Sequence, residues 1–452
     1  MVVFAHAIVG RADLPIPVWL FAVAASTVLV VSFLGLAAGW SRPHLEHVRQ
    51  RPLVPIPLAV EVLCGAIGVF VFFFTVYAGL AGIDSQIDNW APTAVYVGFW
   101  VGVPFATLLF GNVFRLFSPW RAIGRITGWT AGRLAPDAMP EPLAYPDRLG
   151  NWPAVAGILG FVICELCWAT ATDPGPLAII MLVYLAIQLV GMSLYGVEAW
   201  TRRGDAFGVF WGMLSRLAPF GRRPDGWLVL RPPVIAATGL PVGAGTSALL
   251  IVAIGSTAFD GARSGPLFNG LVGDVQDFFT GLGTSKGTGL ELGLTVGLLV
   301  AIAAVTAIWG VAVLGMPRRQ LRLGHAELGR RFVHTLIPIA AAYLVAHYFS
   351  LLAYTGQSLW PLASDPLGRG SDLFGGAEAG VDYSIVSATQ IWYVQVGALV
   401  LGHVSGLVLA HDRALSTYGN PRAAAGSQVT MLVVMVMFTI LGLWLLSAAL
   451  NT

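Results

Sequence analysis

The sequence predicts an all-α fold, a polytopic transmembrane helix bundle of about ten spans with both termini outside. Hydrophobic residues make up 56% of the chain and charged residues only 11%, whereas a soluble domain carries about 25% charged residues. Long apolar segments recur from one end of the sequence to the other. Arginines are concentrated in alternate gaps between these segments.

The apolar segments are long enough to cross a bilayer. About 20 apolar residues span the hydrocarbon core as a helix, and a helix satisfies its own backbone polar groups in lipid. The predicted spans are residues 15–40, 56–81, 92–115, 153–172, 176–199, 240–260, 291–315, 331–355, 387–410 and 428–450. They leave no room for a soluble domain, so residues 15–452 are expected to form one transmembrane domain.

The basic residues predict the orientation of the bundle. Of the 25 lysines and arginines, 21 fall in the gaps 41–56, 113–152, 199–240, 316–333 and 411–427. Short cytoplasmic loops carry the Lys/Arg excess of membrane proteins. We therefore expect these five gaps to face the cytoplasm of a bacterial cell, with the bundle in its plasma membrane. The lipid bilayer is the expected partner, and arginines dispersed in this way do not indicate nucleic-acid binding.

Residues 1–14 are expected to form an extracytoplasmic stub that resembles the tail of a signal peptide. Ala5 and Ala7 are small residues of the kind that precede a cleavage site. Cleavage after Ala5 would expose the amine and imidazole of His6, and a copper site at His6 is one hypothesis.

The cysteines all lie in predicted spans, which excludes a secreted disulfide framework. Cys164 and Cys167 would be one helical turn apart and could bind a soft metal such as Cu(I). The alternative is that they pack as small apolar side chains, as Cys64 is expected to do.

Three loops have a composition of their own. Residues 204–216 form an amphipathic run that could lie in the membrane interface. Residues 268–279, in the loop 261–290, predict a short helix or a lid. The loop 356–386 is rich in glycine and aspartate and is expected to be irregular.

Polar residues inside predicted spans are candidates for function, because a charge in the bilayer core costs roughly 2.5–3.5 kcal/mol on insertion scales. In the fifth span, alternating spacings of four and three place one group on a single helical face. The group consists of Tyr184, Gln188, Gly191, Tyr195 and Glu198. It could line a path for a solute or a proton, or it could pack helices together.

Two further carboxylates, Glu61 and Glu165, lie inside the second and fourth spans. Proton relay, ion ligation, acid–base catalysis and structural hydrogen bonding remain open for both. Tyr343 and His347 share a face of the eighth span, and His403 lies in the ninth. A haem between these helices needs two histidines at one depth, which only His334 and His403 offer.

Several segments resemble a family of bacterial polytopic membrane proteins labelled fenitrothion hydrolase. The resemblance lies in residues 110–125 (FGNVFRLFSPWRAIGR), 198–220, 255–261 (GSTAFDG), 403–415 (HVSGLVLAHDRAL) and 427–446. It implies a membrane-bound hydrolase of organophosphate triesters, with no catalytic residues to carry over. Asn112 stands where the resemblance leads us to expect an acidic residue.

The resembling segments place a second group of candidates on the cytoplasmic face. These are Arg115, Arg121, Asp205, Arg216, His411, Asp412 and Arg413. They could anchor helix ends at the interface, or the arginines could form an anion or phosphate site.

The leading functional hypothesis is a transporter or channel for a small solute or ion. The alternatives are a membrane-embedded phosphotriester hydrolase and a metal- or haem-binding subunit of a membrane complex. The sequence contains no HExxH or Walker motif, which disfavours a soluble-type metallohydrolase and an ATP-driven pump. Catalytic residues and cofactors stay unassigned.

Overall fold

The computed structural model describes residues 18–46, 49–134, 141–263, 265–318, 321–376 and 379–449. His6 and the predicted stub 1–14 lie outside these ranges. The first half of the chain forms α1 (Val18–Gly39), α2 (Leu58–Ala81), α3 (Trp90–Thr93), α4 (Val103–Phe110), α5 (Phe114–Phe117), α6 (Pro119–Leu134), α7 (Trp152–Cys167), α8 (Pro174–Tyr195), α9 (Val197–Arg203) and α10 (Ala206–Leu214). The second half forms α11 (Thr246–Ala262), α12 (Pro266–Gly281), α13 (Lys286–Leu314), α14 (His325–Phe332), α15 (Leu336–Tyr354), α16 (Leu359–Ser364), α17 (Ala388–Tyr418), α18 (Pro421–Ser427) and α19 (Val429–Ala449).

Shorter elements join these helices. A π-helix, Ala94–Gly102, connects α3 to α4. The 3₁₀ turns are Ala169–Thr172, Ser215–Leu217, Ile235–Gly239, Val333–Thr335 and Thr355–Ser358. The strands β1 (Arg51–Pro55), β2 (Phe220–Arg222) and β3 (Trp227–Leu230) form an antiparallel sheet in the order β1-β3-β2. The all-α prediction did not include this sheet, because its strands are short and lie inside basic loops.

Within the described ranges, eight helical segments are long and apolar enough to cross a membrane. They are Trp19–Gly39, Leu58–Ala81, Trp90–Phe110, Pro174–Tyr195, Lys286–Leu314, His325–Ser364, Ala388–Tyr418 and Pro421–Leu443. These helices are compatible with an integral membrane protein, which is the class that the composition predicts.

Two of the ten predicted spans are shorter than expected. The prediction 153–172 corresponds to α7, and the prediction 240–260 corresponds to α11, which have 16 and 17 residues. A proline-rich and glycine-rich stretch precedes α11, and Gly245 at its start has φ 79°, a left-handed conformation that ends any continuous helix. Apolar composition extended the predicted span into this non-helical stretch.

The five basic segments meet at one end of the bundle. Strand β1 of the first gap pairs with β3 of the third gap. Arg413 donates to the Thr238 carbonyl at 2.7 Å, and Arg330 donates to the Val242 carbonyl at 3.5 Å. The second gap reaches α9 through Arg115 and Arg121, whose guanidiniums bind Glu198. This arrangement supports the prediction that the five gaps lie on one side of the membrane.

The predicted location of residues 204–216 in the membrane interface is wrong. Helix α10 occupies this region, and it is buried inside the protein. Phe210 and Trp211 are almost fully inaccessible, and Phe207 packs against Trp120 and Tyr184. An amphipathic pattern is common to interfacial and buried helices, and here the aromatic side chains pack against protein rather than lipid.

Candidate functional site

A large cavity opens at the arginine-rich end of the bundle. Its volume is about 1160 Å³. Seven arginines and two aspartates are the charged residues in its lining: Arg115, Arg121, Arg148, Arg202, Arg203, Arg216 and Arg330, with Asp147 and Asp205. We call it the arginine-lined cavity.

The backbone adds to the positive character of the cavity. Asn151 and Trp152, at the start of α7, line it, as does Gly245 at the start of α11. The N-terminus of an α-helix carries a partial positive charge from unpaired amide groups. Both helices therefore direct positive ends towards the cavity, where they favour a negatively charged occupant.

Three of the arginines share one carboxylate. Arg115 and Arg121 contact Glu198 at 2.7 and 2.8 Å, and Arg202 lies 3.6 Å from it. Although burial alone would raise it, the charges of Arg115 and then Arg121 lower the pKa of Glu198 to about 2. Glu198 is thus ionised at neutral pH, yet one carboxylate leaves the group with excess positive charge.

Glu61 extends the ionic network away from the cavity. It lies in the first turn of α2 and is largely buried. Its carboxylate binds Arg125 at 2.6 Å and Arg222 by a short ion pair, and Arg121 lies 4.0 Å away. Arg121 therefore lies between two acidic groups, and this network joins α2, α6, α9 and β2.

Arg216 has no carboxylate partner among the described residues. It donates to the carbonyls of Ala236 and Gly239 at 3.1 and 3.0 Å. Burial, followed by repulsion from Arg231, lowers the pKa of Arg216 to about 10. A half-buried guanidinium next to another arginine is repelled by it, and a bound anion would relieve this repulsion.

Asp205 connects the cavity to helices α6 and α8. Its carboxylate accepts hydrogen bonds from Trp120 at 2.8 Å and from the Tyr184 hydroxyl at 2.9 Å. Burial raises the pKa of Asp205 to about 6, and these two hydrogen bonds limit the rise. The charge of Asp205 therefore changes near pH 6.

The predicted polar face on the fifth span is interrupted. Helix α8 ends at Tyr195, and Gly196, with φ 82° and ψ 150°, separates it from α9. Glu198 therefore lies on a different helix from Tyr184 and Gln188. The regular spacing from Tyr184 to Glu198 predicted one continuous helix. A glycine can break a helix by adopting a positive φ, and the spacing of the polar residues does not reveal such a break.

Gln188, Gly191 and Tyr195 of that face pack around Trp200, whereas Tyr184 binds Asp205. Gln188 accepts a hydrogen bond from the indole of Trp200 at 2.8 Å, and Tyr195 stacks on its ring. A Cβ added to Gly191 would lie 2.1 Å from that indole. None of the residues of that face belongs to the lining of the arginine-lined cavity.

His411, Asp412 and Arg413 hold loops to α17. Asp412 accepts from the backbone amides of His44 and Leu45 at 2.6 and 3.2 Å. His411 Nε2 donates to the Trp40 carbonyl at 3.1 Å. These contacts fix the segment after α1 against the bundle, and none of the three residues lines the cavity.

Tyr343 and His403 lie in the bundle core. The Tyr343 hydroxyl donates to the Phe438 carbonyl at 3.1 Å, and His403 Nδ1 donates to the Leu399 carbonyl at 2.7 Å. His403 is fully buried where α17 approaches α15 closely, beside Gly402, whose Cβ would lie 2.3 Å from Ala342. Both polar groups thus make structural hydrogen bonds.

A second polar group lies at the opposite ends of α7 and α11. His347 Nε2 lies 2.8 Å from Asp260 Oδ2, and the Tyr348 hydroxyl donates to the same oxygen at 3.2 Å. Arg263 Nε is 3.3 Å from Asp260 Oδ1. Glu165, on α7, is close enough to Asp260 for their charges to interact. We call Glu165, Asp260, Arg263 and His347 the acid–imidazole cluster.

Asp260 and Arg263 were not among the sequence candidates. Asp260 belongs to the GSTAFDG segment, which carries part of the family resemblance but no predicted site residue. Arg263 follows it by three residues, the spacing at which helical side chains meet. An acidic residue near the end of an apolar segment, with a basic residue one turn later, was the available signal.

No three histidine, cysteine, aspartate or glutamate residues in the described ranges are grouped so that they could hold a metal ion. Cys164 and Cys167 are free thiols. Comparison of the chain with protein-family models, with curated proteins and with solved structures gives no match. Function is therefore argued from the two polar sites.

Proposed function

We propose that this protein is a multi-pass membrane transporter for a small oxyanion, which binds in the arginine-lined cavity. The observation that carries the proposal is the charge of that cavity, with seven arginines against two aspartates. An excess of positive charge in a cavity attracts anions and raises their local concentration.

The side chains favour an oxyanion over a spherical anion. A guanidinium offers a planar fork of N–H donors that matches the oxygens of a carboxylate, phosphate or sulfate group. A cavity of about 1160 Å³ is larger than a bare inorganic anion requires. It would hold a hydrated inorganic oxyanion or a small organic phosphate or carboxylate.

The position of the cavity supports transport. The cavity lies at one end of a helix bundle that contains eight candidate membrane spans. Two of the helices that border it, α7 and α11, continue from the cavity into the bundle. A solute bound in this cavity would therefore contact helices that extend into the bundle.

The first experiment measures anion binding to purified protein by calorimetry with sodium sulfate and sodium phosphate. The test variant combines Arg148→Gln with Arg202→Gln, since both side chains line the cavity and are exposed enough to be removed without disrupting the core. We expect affinity to fall by roughly tenfold, because a hydrogen bond to a charged group contributes about 1.5–3 kcal/mol and exposure reduces this.

The matched control combines Arg133→Gln with Arg223→Gln. These exposed arginines lie in the same basic gaps but outside the cavity lining, so the net charge changes equally. Equal losses in both double variants would show non-specific attraction and contradict the proposal. Absence of sulfate and phosphate binding to the unchanged protein would also contradict it.

The second experiment measures radiolabelled sulfate uptake into proteoliposomes. We expect uptake by the unchanged protein to saturate with sulfate concentration. Uptake by the variant with Arg148→Gln and Arg202→Gln should be lower. Binding without flux would rule out transport and leave an anion-binding membrane protein.

A further inference from the structure

We propose that the acid–imidazole cluster binds one exchangeable proton on Glu165 and couples its movement to that of the anion. The coupling rests on the proposed function, whereas the proton site stands on the geometry of the cluster alone. The cluster lies apart from the arginine-lined cavity and shares no residue with its lining.

The first argument is the connection between the two sites. Helices α7 and α11 both begin at the cavity and carry Glu165 and Asp260 near their opposite ends. Thirteen or fourteen residues of α-helix separate the two positions, roughly 20 Å at 1.5 Å per residue. The same pair of rigid elements therefore links the anion site to the acidic cluster.

The second argument is the charge of the cluster. Two carboxylates face one guanidinium and one imidazole, so the cluster is neutral when Glu165 is protonated and His347 is uncharged. Loss of that proton leaves an excess negative charge, unless the imidazole gains a proton. A net charge among apolar helices is costly. The cluster is therefore expected to hold one proton at rest, and that proton is the one it can exchange.

The third argument identifies Glu165 as the proton-binding group. The Asp260 carboxylate is fully buried and is held by Arg263, His347 and Tyr348. In contrast, Glu165 Oε2 is buried with no hydrogen-bond partner among the described residues. A buried carboxyl oxygen that receives no hydrogen bond is poorly stabilised as a charged carboxylate, so the carboxyl is more stable with its proton bound.

Other titratable groups surround the cluster on each helix that packs against it. Charged or titratable neighbours of Glu165 and Asp260 are Tyr96 of the π-helix, Cys164 and Cys167 of α7, Arg263 of α11 and Tyr348 of α15. Helix α13 carries Lys286 and Glu291 at its start, where Glu291 accepts from the Ala169 amide at 3.1 Å. Helix α19 has no titratable residue. Arg263 is therefore the cation of the cluster, and Glu165 and His347 are its proton-exchanging groups.

The π-helix places Tyr96 and Trp100 beside this cluster. Tyr96 donates to the Ala171 carbonyl at 3.1 Å and interacts electrostatically with Glu165. A π-helical segment inside a span leaves its backbone less regularly bonded than an α-helix and is common at functional sites. Its position next to Glu165 agrees with a site that changes its protonation.

In a transport cycle, Glu165 takes a proton from water on one side and becomes a neutral carboxylic acid. The proton then leaves to water on the other side, either directly or through the His347 imidazole, and Glu165 returns to the carboxylate. No bond other than O–H or N–H forms or breaks. A proton that moves with an oxyanion offsets part of the negative charge that crosses the membrane.

The proton site is tested by infrared pH-difference spectroscopy on reconstituted protein. The measurements use an Asp205→Asn background, because the Asp205 carboxyl would itself give a band that disappears near pH 6. In this background we expect a protonated-carboxyl band that disappears as pH rises and that is lost when Glu165→Gln is added. Glu165→Asp should keep such a band, and the exposed control Asp274→Asn should leave it unchanged. A band that persists in folded Glu165→Gln would overturn the assignment.

His347 is expected to act as a positioning residue. In His347→Gln the imidazole can no longer take up positive charge, so the Glu165 carboxylate is less stabilised. The band should then persist to higher pH than in the unchanged protein. His325→Gln, outside the cluster, should not shift it, and an unshifted band in His347→Gln would contradict this role.

Coupling is tested by sulfate uptake into proteoliposomes with an acidic exterior. The pH gradient should accelerate uptake by the unchanged protein, and Glu165→Gln should lose this acceleration while keeping sulfate–sulfate exchange. Equal acceleration in Glu165→Gln would overturn the coupling. If the unchanged protein moves no sulfate, the proposed function and the coupling fail together, while the infrared result still decides the proton site.

Discussion

At the scale of single residues, Asp205 lies between the helices and the arginine-lined cavity. Its carboxylate binds Trp120 of α6 and Tyr184 of α8, and its backbone marks the start of α10. Burial raises the pKa of Asp205 to about 6. The carboxyl is therefore neutral below about pH 6 and negative above it, beside the cavity in which we expect an anion.

We predict that sulfate binding weakens as pH rises through about 6, since ionised Asp205 repels the anion. Sulfate is the suitable probe because its own charge is constant over this range. Asp205→Asn keeps a hydrogen-bond acceptor but cannot ionise, so calorimetry across this range should show a smaller pH dependence.

Asp147→Asn is the control for this prediction, because Asp147 is an exposed aspartate of the same cavity wall. It should leave the step near pH 6 in place. A step of the same size in Asp205→Asn would assign the effect to another group.

At the scale of elements, the break between α8 and α9 positions the ionic network. Gly196 has φ 82° and ψ 150° and turns the chain so that Glu198 reaches Arg115 and Arg121. Residues other than glycine are strained in this backbone conformation. The glycine is thus needed for the geometry of the network.

We predict that Gly196→Ala lowers the free energy of unfolding by about 1–3 kcal/mol and weakens sulfate binding. Thermal unfolding in detergent and calorimetry measure the two effects. Gly310→Ala is the control, because Gly310 lies inside α13 and an added Cβ would have no neighbour within 4 Å. Equal stability of the two variants would show that Gly196 carries no strain.

The sequence predicted helices well and their interruptions poorly. Apolar length identifies the eight long segments, because a bilayer requires about 20 apolar residues. The break at Gly196 could not be predicted, since glycine also occurs inside helices, as Gly191 does. The burial of α10 depends on aromatic partners from distant segments, which periodicity does not reveal.

The candidate site was predicted in part. Arg115, Arg121, Asp205 and Arg216 were selected from the sequence, and the structure places all four on one cavity. Asp260 and Arg263 were missed because their partner His347 is 87 residues from Asp260. Contacts at that separation depend on helix packing, which one sequence without relatives does not show.

At the scale of the whole molecule, the two polar sites lie at opposite ends of α7 and α11. The five basic gaps meet at the end with the cavity, whereas Arg263, Lys286 and Arg369 belong to other segments. The excess of arginine predicts that the cavity opens to the cytoplasm. The proposed anion site and the proposed proton site share these two helices, as coupling between them would require.

We predict opposite accessibility for Arg223→Cys and Asp274→Cys in a background with Cys64, Cys164 and Cys167 replaced by alanine. Both positions are exposed. A membrane-impermeant maleimide should label Asp274→Cys in intact cells and Arg223→Cys only after permeabilisation. Labelling of both in intact cells would contradict the predicted orientation.

The central claim is that the arginine-lined cavity binds an oxyanion. Its most direct test is an anomalous difference map of the protein crystallised with tungstate, a heavy tetrahedral oxyanion. We predict a peak within hydrogen-bonding distance of at least two of Arg115, Arg121, Arg202 and Arg216. A map with tungstate bound only at the outer surface, and none in the cavity, would contradict the claim.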